Sequence, residues 1–508
     1  MVDFRNRVER WGLQEAVLAG RKDGNPFTDY SIYGEFRGAH ETVVVMGFYD
    51  GDGIYRVRFM PSYTGKYSFR IYGSFSDKVE EGVFEVTEPS TGINHGPVHV
   101  SRQYHFAYAD GTLYLPFGTT AYVWHLQPKN IRKETLETLS EGIFNKIRFC
   151  VFPKHYVHNL KDPIMFPYEG TPMDCSVLTP DNFRDFGGEA SGNEWDYTRF
   201  NTGYFRHLDE CIAELGTLGI EADIILFHPY DRWGFSRMSH ENDLLYVRYM
   251  TARYSAYRNV WWSLANEYDL MNKTTADWED IAGTIVDSDP YGHLRSIHNG
   301  MEFYDYTRPW VTHACIQRQD LYRTTEYTDM WRSQFHKPVI VDEMAYEGNI
   351  EYGWGNISGE ELVRRFWQAC LRGGYGGHGE TYVNDEDIIW WAHGGRLHGT
   401  APERLRFLKE ILLSVPGGTL KHSDRGAFDD TIAVPEEWEY SGQYYLYYYD
   451  RFRTSAREFF FDNEHAYRAE LIDTWDMTIR DAGTFRGHFR VKFPGKEYMA
   501  LRITRVQE

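Results

Sequence analysis

Between residues 100 and 415, short apolar runs alternate with stretches whose apolar residues recur every three or four positions. The runs suit strands buried on both faces, and the longer period suits helices packed along one side. Eight such runs predict eight strands: "LYLPFGTTAYVW", "NKIRFCVF", "GIEADIILFH", "VWWSLANE", "HLRSIHNG", "WVTHACIQ", "KPVIVDEMAYEG" and "GGYGGHGETYV". Helices fall between them. "NIRKETLETLSEGIF" predicts one, and a second from Thr202 sets Tyr204, Leu208, Cys211, Ile212, Leu215 and Leu218 on one face. A third covers about 240–257, and Ser358 with Glu361 predicts a capping box before "LVRRFWQACLRGG". About eight β/α units in roughly 300 residues predict a (β/α)8 TIM barrel. A doubly wound open sheet is the alternative, but no GxGxxG phosphate loop follows the first strand.

The flanks have a different rhythm. "ETVVVMGFYDGDGIYRVRFMPSYTGKYSFRIYG" holds three β-rich runs parted by Asp-Gly and Thr-Gly turn signals. Tyr67, Phe69 and Ile71 alternate with Lys66, Ser68 and Arg70, so one strand face is buried and the other wet. "VTEPSTGINHGP" reads as a linker, and "GQYYLYYYD", "REFFFD", "YRAELIDTWDMTI" and "KEYMALRITR" predict strands after residue 416. The expected multidomain α/β architecture is an N-terminal Ig-like β-sandwich over 1–90, the barrel over 91–415 and a C-terminal β-sandwich over 416–508. The sandwiches are expected to brace the barrel or to build a homo-oligomer, with carbohydrate binding by either as the alternative.

Charge narrows the partners. The 508 residues carry a formal charge of −20, a poor match to nucleic-acid phosphates or to anionic membranes. No run of 18 apolar residues suggests a membrane span. Aromatics make up 17% of the chain. Most belong in cores and sheets, with a few expected in a cleft, where rings stack on sugars. Cys150, Cys175, Cys211, Cys315 and Cys370 are scattered and never in CxxC spacing, and "MVDFRNRVERWG" lacks the apolar core of a signal peptide. A cytoplasmic location is expected.

Barrel chemistry sits at the C-terminal ends of the strands. Asn266 and Glu267 end the fourth run, and Glu343 ends the seventh, after Asp342. Two carboxylates facing each other across a barrel mouth are what glycoside hydrolysis requires. One protonates the leaving oxygen, and the other attacks or stabilises the anomeric carbon. Asn266 is placed to hold a sugar 2-hydroxyl, and Arg148 to keep a carboxylate ionised. Other strand-end groups are candidates for substrate contact. His228 and Trp233 follow the third run with Tyr230, Asp231 and Arg232; His298 and Asn299 follow the fifth; His313 and Gln317 belong to the sixth; His378 and Glu380 follow the eighth. Trp391, beside Trp390, could wall a sugar subsite. Each of these can equally be structural. A metal-dependent barrel hydrolase is the rival chemistry, but no HxH or HExxH occurs, and His155 with His158 has no supporting neighbour. No GxSxG marks a serine hydrolase. No cofactor is expected.

"ANEYD" with "VDEMAYEG" resembles the clan A glycoside hydrolases. "YADGTLYLPFGTTAYVWH" and "HGETY…WWAHGG" resemble a subgroup in which an N-terminal sandwich precedes the barrel, with the β-apiosidases as distant relatives. The resemblance spans nearly the whole chain. It implies Glu267 as acid/base and Glu343 as nucleophile. The apiosidases carry Asp at the position of Glu267, so apiosidase activity itself is not implied. The expected function is a retaining, exo-acting glycosidase for short oligosaccharides or glycosides. The alternative from another class is a non-catalytic carbohydrate-binding protein on the same scaffold.

Overall fold

The computed structural model describes residues 3–90, 92–159, 163–173, 192–386, 388–424 and 430–506; Cys175 lies outside them. Eight parallel strands form the centre: Gly118–Thr120, Lys146–Cys150, Glu221–Phe227, Val260–Ala265, Arg295–Ser296, Ala314–Gln317, Val339–Glu343 and Tyr375–His378. Each pairs with its sequence neighbour, and the eighth pairs with the first. The fifth and sixth meet through a single bridge, His298 with Cys315, so the barrel is nearly closed. Strands two, three, four and seven are buried at every position, which is why they read as apolar runs without alternation.

The helices between strands start where side chains can cap them. Asn201 accepts from the amides of Gly203 and Tyr204 before Thr202–Thr217. Ser239 caps His240–Tyr254, and Thr274 with Asp277 forms a reciprocal capping box at Thr275–Ser288. In the helix from Thr202, Tyr204, Leu208, Cys211, Ile212 and Leu215 are buried as the periodicity requires, and Leu218 is half-buried at the C-cap. Ser358 does cap Gly359–Leu371. The expected return bond from Glu361 is not made, because its carboxylate is taken by Arg364, Arg365 and Arg451. Ion pairs to three arginines outweigh one backbone donor.

The run "LYLPFGTTAYVW" does not form one strand. Leu113–Tyr114 joins Val98–Ser101 and His105–Tyr108 in an antiparallel sheet, and only Gly118–Thr120 enters the barrel. That sheet closes the barrel floor. Phe106 is fully buried there, 5.6 Å from the Trp261 ring and 5.7 Å from that of Tyr375.

Before the barrel, a four-stranded and a five-stranded sheet pack face to face around Phe36, Val57, Phe59, Phe69 and Phe84. After it, a six-stranded and a two-stranded sheet enclose Phe459, Phe489, Leu501 and Ile503. The run "YRAELIDTWDMTI" splits into Tyr467–Asp473 and Thr478–Phe485, which pair antiparallel. Both flanking units are tied to barrel helices by buried ions. Arg58 grips Asp209 and Arg253 grips Asp50 on one side, and Arg364 holds Asp450 on the other. Among the described residues, no helix is long and apolar enough to cross a membrane.

Candidate active site

Strand direction places the chemistry. The fourth strand ends at Ala265, and the chain turns sharply at Glu267, whose φ of 49° and ψ of 57° lie in the left-handed region. For a side-chain residue this conformation costs on the order of 1–3 kcal/mol and persists only where the surroundings enforce it. The turn directs the Glu267 carboxylate into the barrel mouth. Glu343, the last residue of the seventh strand, enters the same space. A cavity of about 70 Å³ forms there, lined by both glutamates, Asn266, Lys154, Gln317, Gln319, Tyr122, Tyr156, Tyr230, Tyr346, Trp354 and Trp391. Larger hollows of about 300 and 860 Å³ lie where the N-terminal sandwich meets the barrel and on the C-terminal sheet, and neither is lined by Glu267 or Glu343.

The two carboxylates occupy opposite electrostatic environments. Burial is the largest influence on Glu267 and raises its pKa, and the charge of Glu343 raises it further. Hydrogen bonds from Tyr230 and Gln317, the latter 3.0 Å from Oε1, only partly oppose this. Burial also pushes Glu343 up, but His298, Arg148 and Tyr122 overcome it and hold the carboxyl well below the usual range. Arg148 Nη1 donates to Glu343 Oε1 at 3.0 Å, the Tyr122 hydroxyl donates to the same oxygen, and His298 Nε2 lies 3.3 Å from it. A carboxyl whose pKa is raised and one whose pKa is lowered thus share a cavity, the kind of difference that acid–nucleophile chemistry uses.

Arg148 also fixes Asn266. Its Nη2 donates to Asn266 Oδ1 at 2.8 Å, which leaves the amide nitrogen turned toward Glu267 Oε2 at 3.4 Å. One guanidinium therefore holds an amide and a carboxylate; it and the amide are fully buried, and the carboxylate is exposed only to the cavity. Beneath lies a second charged layer, where Lys146 bridges Asp223 at 2.7 Å and Asp342 at 2.8 Å inside the barrel.

Aromatic rings wall the cavity. Trp354 and Trp391 have ring centroids 4.9 Å apart, and the Trp391 carbonyl is anchored by the Tyr122 amide at 2.9 Å. Lys154 projects among them with Nζ 3.4 Å from the Tyr122 ring centroid, 4.4 Å from that of Tyr230 and 4.6 Å from that of Trp391. Burial lowers its pKa to about 8 despite the nearby carboxylates.

The expected site residues divide clearly. Asn266, Glu267, Glu343 and Trp391 line the cavity, and Arg148 and His298 touch Glu343 from behind. His228, Trp233, His313, His378 and Glu380 do not line it. The His228 ring turns inward to the Phe152 carbonyl at 3.3 Å. Trp233 is buried near Phe166. His313 precedes the sixth strand, so it lies on the barrel floor against Phe106 and Trp261. His378 packs on Phe144 and contacts Thr119 Oγ1 at 2.9 Å. Glu380 accepts from the amides of His398 and Gly399 and so holds a loop. Tyr122, Lys154, Tyr156, Tyr346, Gln319 and Trp354 enter the cavity without having been singled out. Tyr122 could have been found from its place just past the first strand. Among the described residues, no group of three His, Cys, Asp or Glu is arranged to hold a metal ion.

This arrangement agrees with the comparisons. The family described as the apiosidase-like catalytic domain matches residues 102–416, more than half of the chain. Two domains of unknown function match residues 7–74 and 433–504. The crystal structure of a candidate glycoside hydrolase from Bacteroides vulgatus ATCC 8482 is 34% identical over 99% of this chain and 100% of its own, with a TM-score of 0.90. A glycoside hydrolase family 5 structure from the same organism is 17% identical, over 81% of this chain and 94% of its own, with a TM-score of 0.60; it shares the fold. No curated protein matches the chain. The chain belongs to the apiosidase-like catalytic domain family and is a glycosidase built on a (β/α)8 barrel.

Proposed function

We propose that this glycosidase is retaining and exo-acting, and that it cleaves short oligosaccharides or glycosides, with Glu343 as nucleophile and Glu267 as acid/base. The observation that carries this reading is the opposed environment of the two carboxylates, which line one cavity with the pKa of Glu267 raised by burial and by the charge of Glu343, and that of Glu343 lowered by His298, Arg148 and Tyr122. Glu343 attacks the anomeric carbon while the Glu267 proton passes to the departing glycosidic oxygen, and the C–O bond breaks. Glu267, now ionised, takes a proton from water. The water oxygen attacks the anomeric carbon and releases Glu343. Arg148, His298 and Tyr122 stabilise Glu343 until bond formation. Asn266 is poised for a substrate 2-hydroxyl, where hydrogen bonds strengthen in the transition state. The small, aromatic-walled cavity supports cleavage at a chain end, and a cytoplasmic enzyme would meet short glycosides taken up by the cell.

A panel of nitrophenyl pyranosides and furanosides would name the sugar. The 2-deoxy-2-fluoro derivative of the best substrate would then trap the covalent intermediate. Peptide mapping should find the label on Glu343, and the first-formed product should keep the substrate's anomeric form. A label elsewhere, or an inverted product, would overturn the reading.

A further inference from the structure

A continuous polar chain runs from the barrel floor to Glu343. Lys146 Nζ lies 2.8 Å from Asp342 Oδ1, and Asp342 Oδ2 lies 3.0 Å from the Cys315 thiol. Cys315 Sγ lies 3.0 Å from His298 Nδ1, and His298 Nε2 lies 3.3 Å from Glu343 Oε1. Lys146, Asp342, Cys315 and His298 are almost completely buried, and Glu343 alone faces the cavity, so the bonds of the first four are made within the protein. The hydrogens can therefore be counted.

Asp342 is paired with Lys146 and ionised, so it only accepts. The one hydrogen of the thiol goes to Asp342, and burial keeps that thiol protonated. Sulfur then has only lone pairs left for His298, so Nδ1 must donate. On the other side of the ring, Nε2 faces the Glu343 carboxylate and, at 3.2 Å, Gln317 Oε1. The Gln317 amide group is turned toward Glu267, so its oxygen faces His298. Nε2 must donate as well.

We propose that Cys315 is a positioning residue: its thiol, fixed by Asp342, holds the His298 ring with a hydrogen on both nitrogens, so that an imidazolium pairs with Glu343. The proposal rests on Glu343 being the nucleophile. It gives the cysteine a role in the reaction without contact to substrate. A thiol serves here because it donates once and accepts once in a line, and valine of similar size can do neither.

The ring state is read directly by NMR of 15N-histidine-labelled enzyme, with His298→Gln to assign the signals. In the wild type, both His298 nitrogens are expected at imidazolium shifts, and in Cys315→Val at least one nitrogen loses its proton. A neutral wild-type ring overturns the proposal, and this holds even if Cys315→Val fails to fold. Kinetics give a second readout, with the nitrophenyl glycoside that the wild type hydrolyses fastest. Cys315→Val is expected to lose about tenfold or more in kcat with little change in KM, the scale of one hydrogen bond to a charged group. Cys315→Ser, which restores one donor and one acceptor, should recover most of the loss. Wild-type kcat in Cys315→Val, or a serine variant no better than valine, overturns the proposal. Glu343→Ala is the control. Wild-type turnover there would defeat the reading of the nucleophile instead, and would leave the His298 spectrum to stand or fall alone.

Discussion

Replacing Arg148 with methionine removes one side chain that serves two partners. In the wild type, Nη1 donates to Glu343 at 3.0 Å and Nη2 to Asn266 at 2.8 Å. A hydrogen bond to a charged group contributes about 1.5–3 kcal/mol, and one to a neutral amide about 0.5–1.5 kcal/mol. The loss of both is therefore about 2–4.5 kcal/mol. If it falls on the transition state, kcat/KM drops between about 30- and 2000-fold. The pH profile adds a sign. Arg148 helps to hold the Glu343 carboxyl below its ordinary range, so its removal raises that pKa. Activity needs the ionised form, so the acid limb of kcat/KM moves to higher pH. Arg148→Lys keeps the charge but cannot span both partners, and should fall between the two. The assay is kcat/KM against pH on the best nitrophenyl glycoside, with circular dichroism to confirm folding. A folded Arg148→Met enzyme with wild-type kcat/KM and an unmoved acid limb would refute the reasoning.

Tyr230→Phe removes a hydrogen bond that lowers the Glu267 pKa, so the alkaline limb of kcat/KM should move to higher pH while the acid limb stays. Lys154 is buried with its pKa lowered from 10.5 to about 8. The unfolded chain holds that proton more tightly, so the lysine costs stability at neutral pH, and the cost fades as pH rises from about 8 to 10.5. Lys154→Met should therefore be more stable than the wild type at pH 7, by on the order of 3 kcal/mol at most, with the gap in urea midpoints closing toward pH 10.5. Lys146→Met leaves Asp223 and Asp342 buried without their cation. It should cost about 3–5 kcal/mol of stability, read as a lower urea midpoint, and a second change of Asp223→Asn should return part of it.

The sequence exposed whatever follows from strand period and strand ends. Strands two, three, four and seven are buried throughout and bounded sharply, so Asn266, Glu267, Glu343 and Arg148 could be placed by counting alone. The residues after the third strand show where counting stops. His228 and Tyr230 are two positions apart in one loop, yet the imidazole turns to the core and the phenol reaches Glu267. That choice depends on loop backbone and on partners more than 30 residues away in sequence. His313 was misplaced for another reason. The sixth strand begins at Ala314, not at Trp310, and the shift carries the histidine from the mouth to the floor. Lys154 was invisible because its neighbours Tyr122, Tyr230 and Trp391 come from three distant segments. The split of "LYLPFGTTAYVW" was hidden too, since a hairpin and a barrel strand both read as apolar.

The most direct measurement is azide rescue of Glu343→Ala and Glu267→Ala on the best aryl glycoside, with the anomeric form of each product read by NMR. Both variants should lose orders of magnitude in turnover. Azide should then give a glycosyl azide of inverted form with Glu343→Ala and of retained form with Glu267→Ala. Wild-type turnover in both variants, or the two anomeric outcomes exchanged, would contradict the assignment of nucleophile and acid/base.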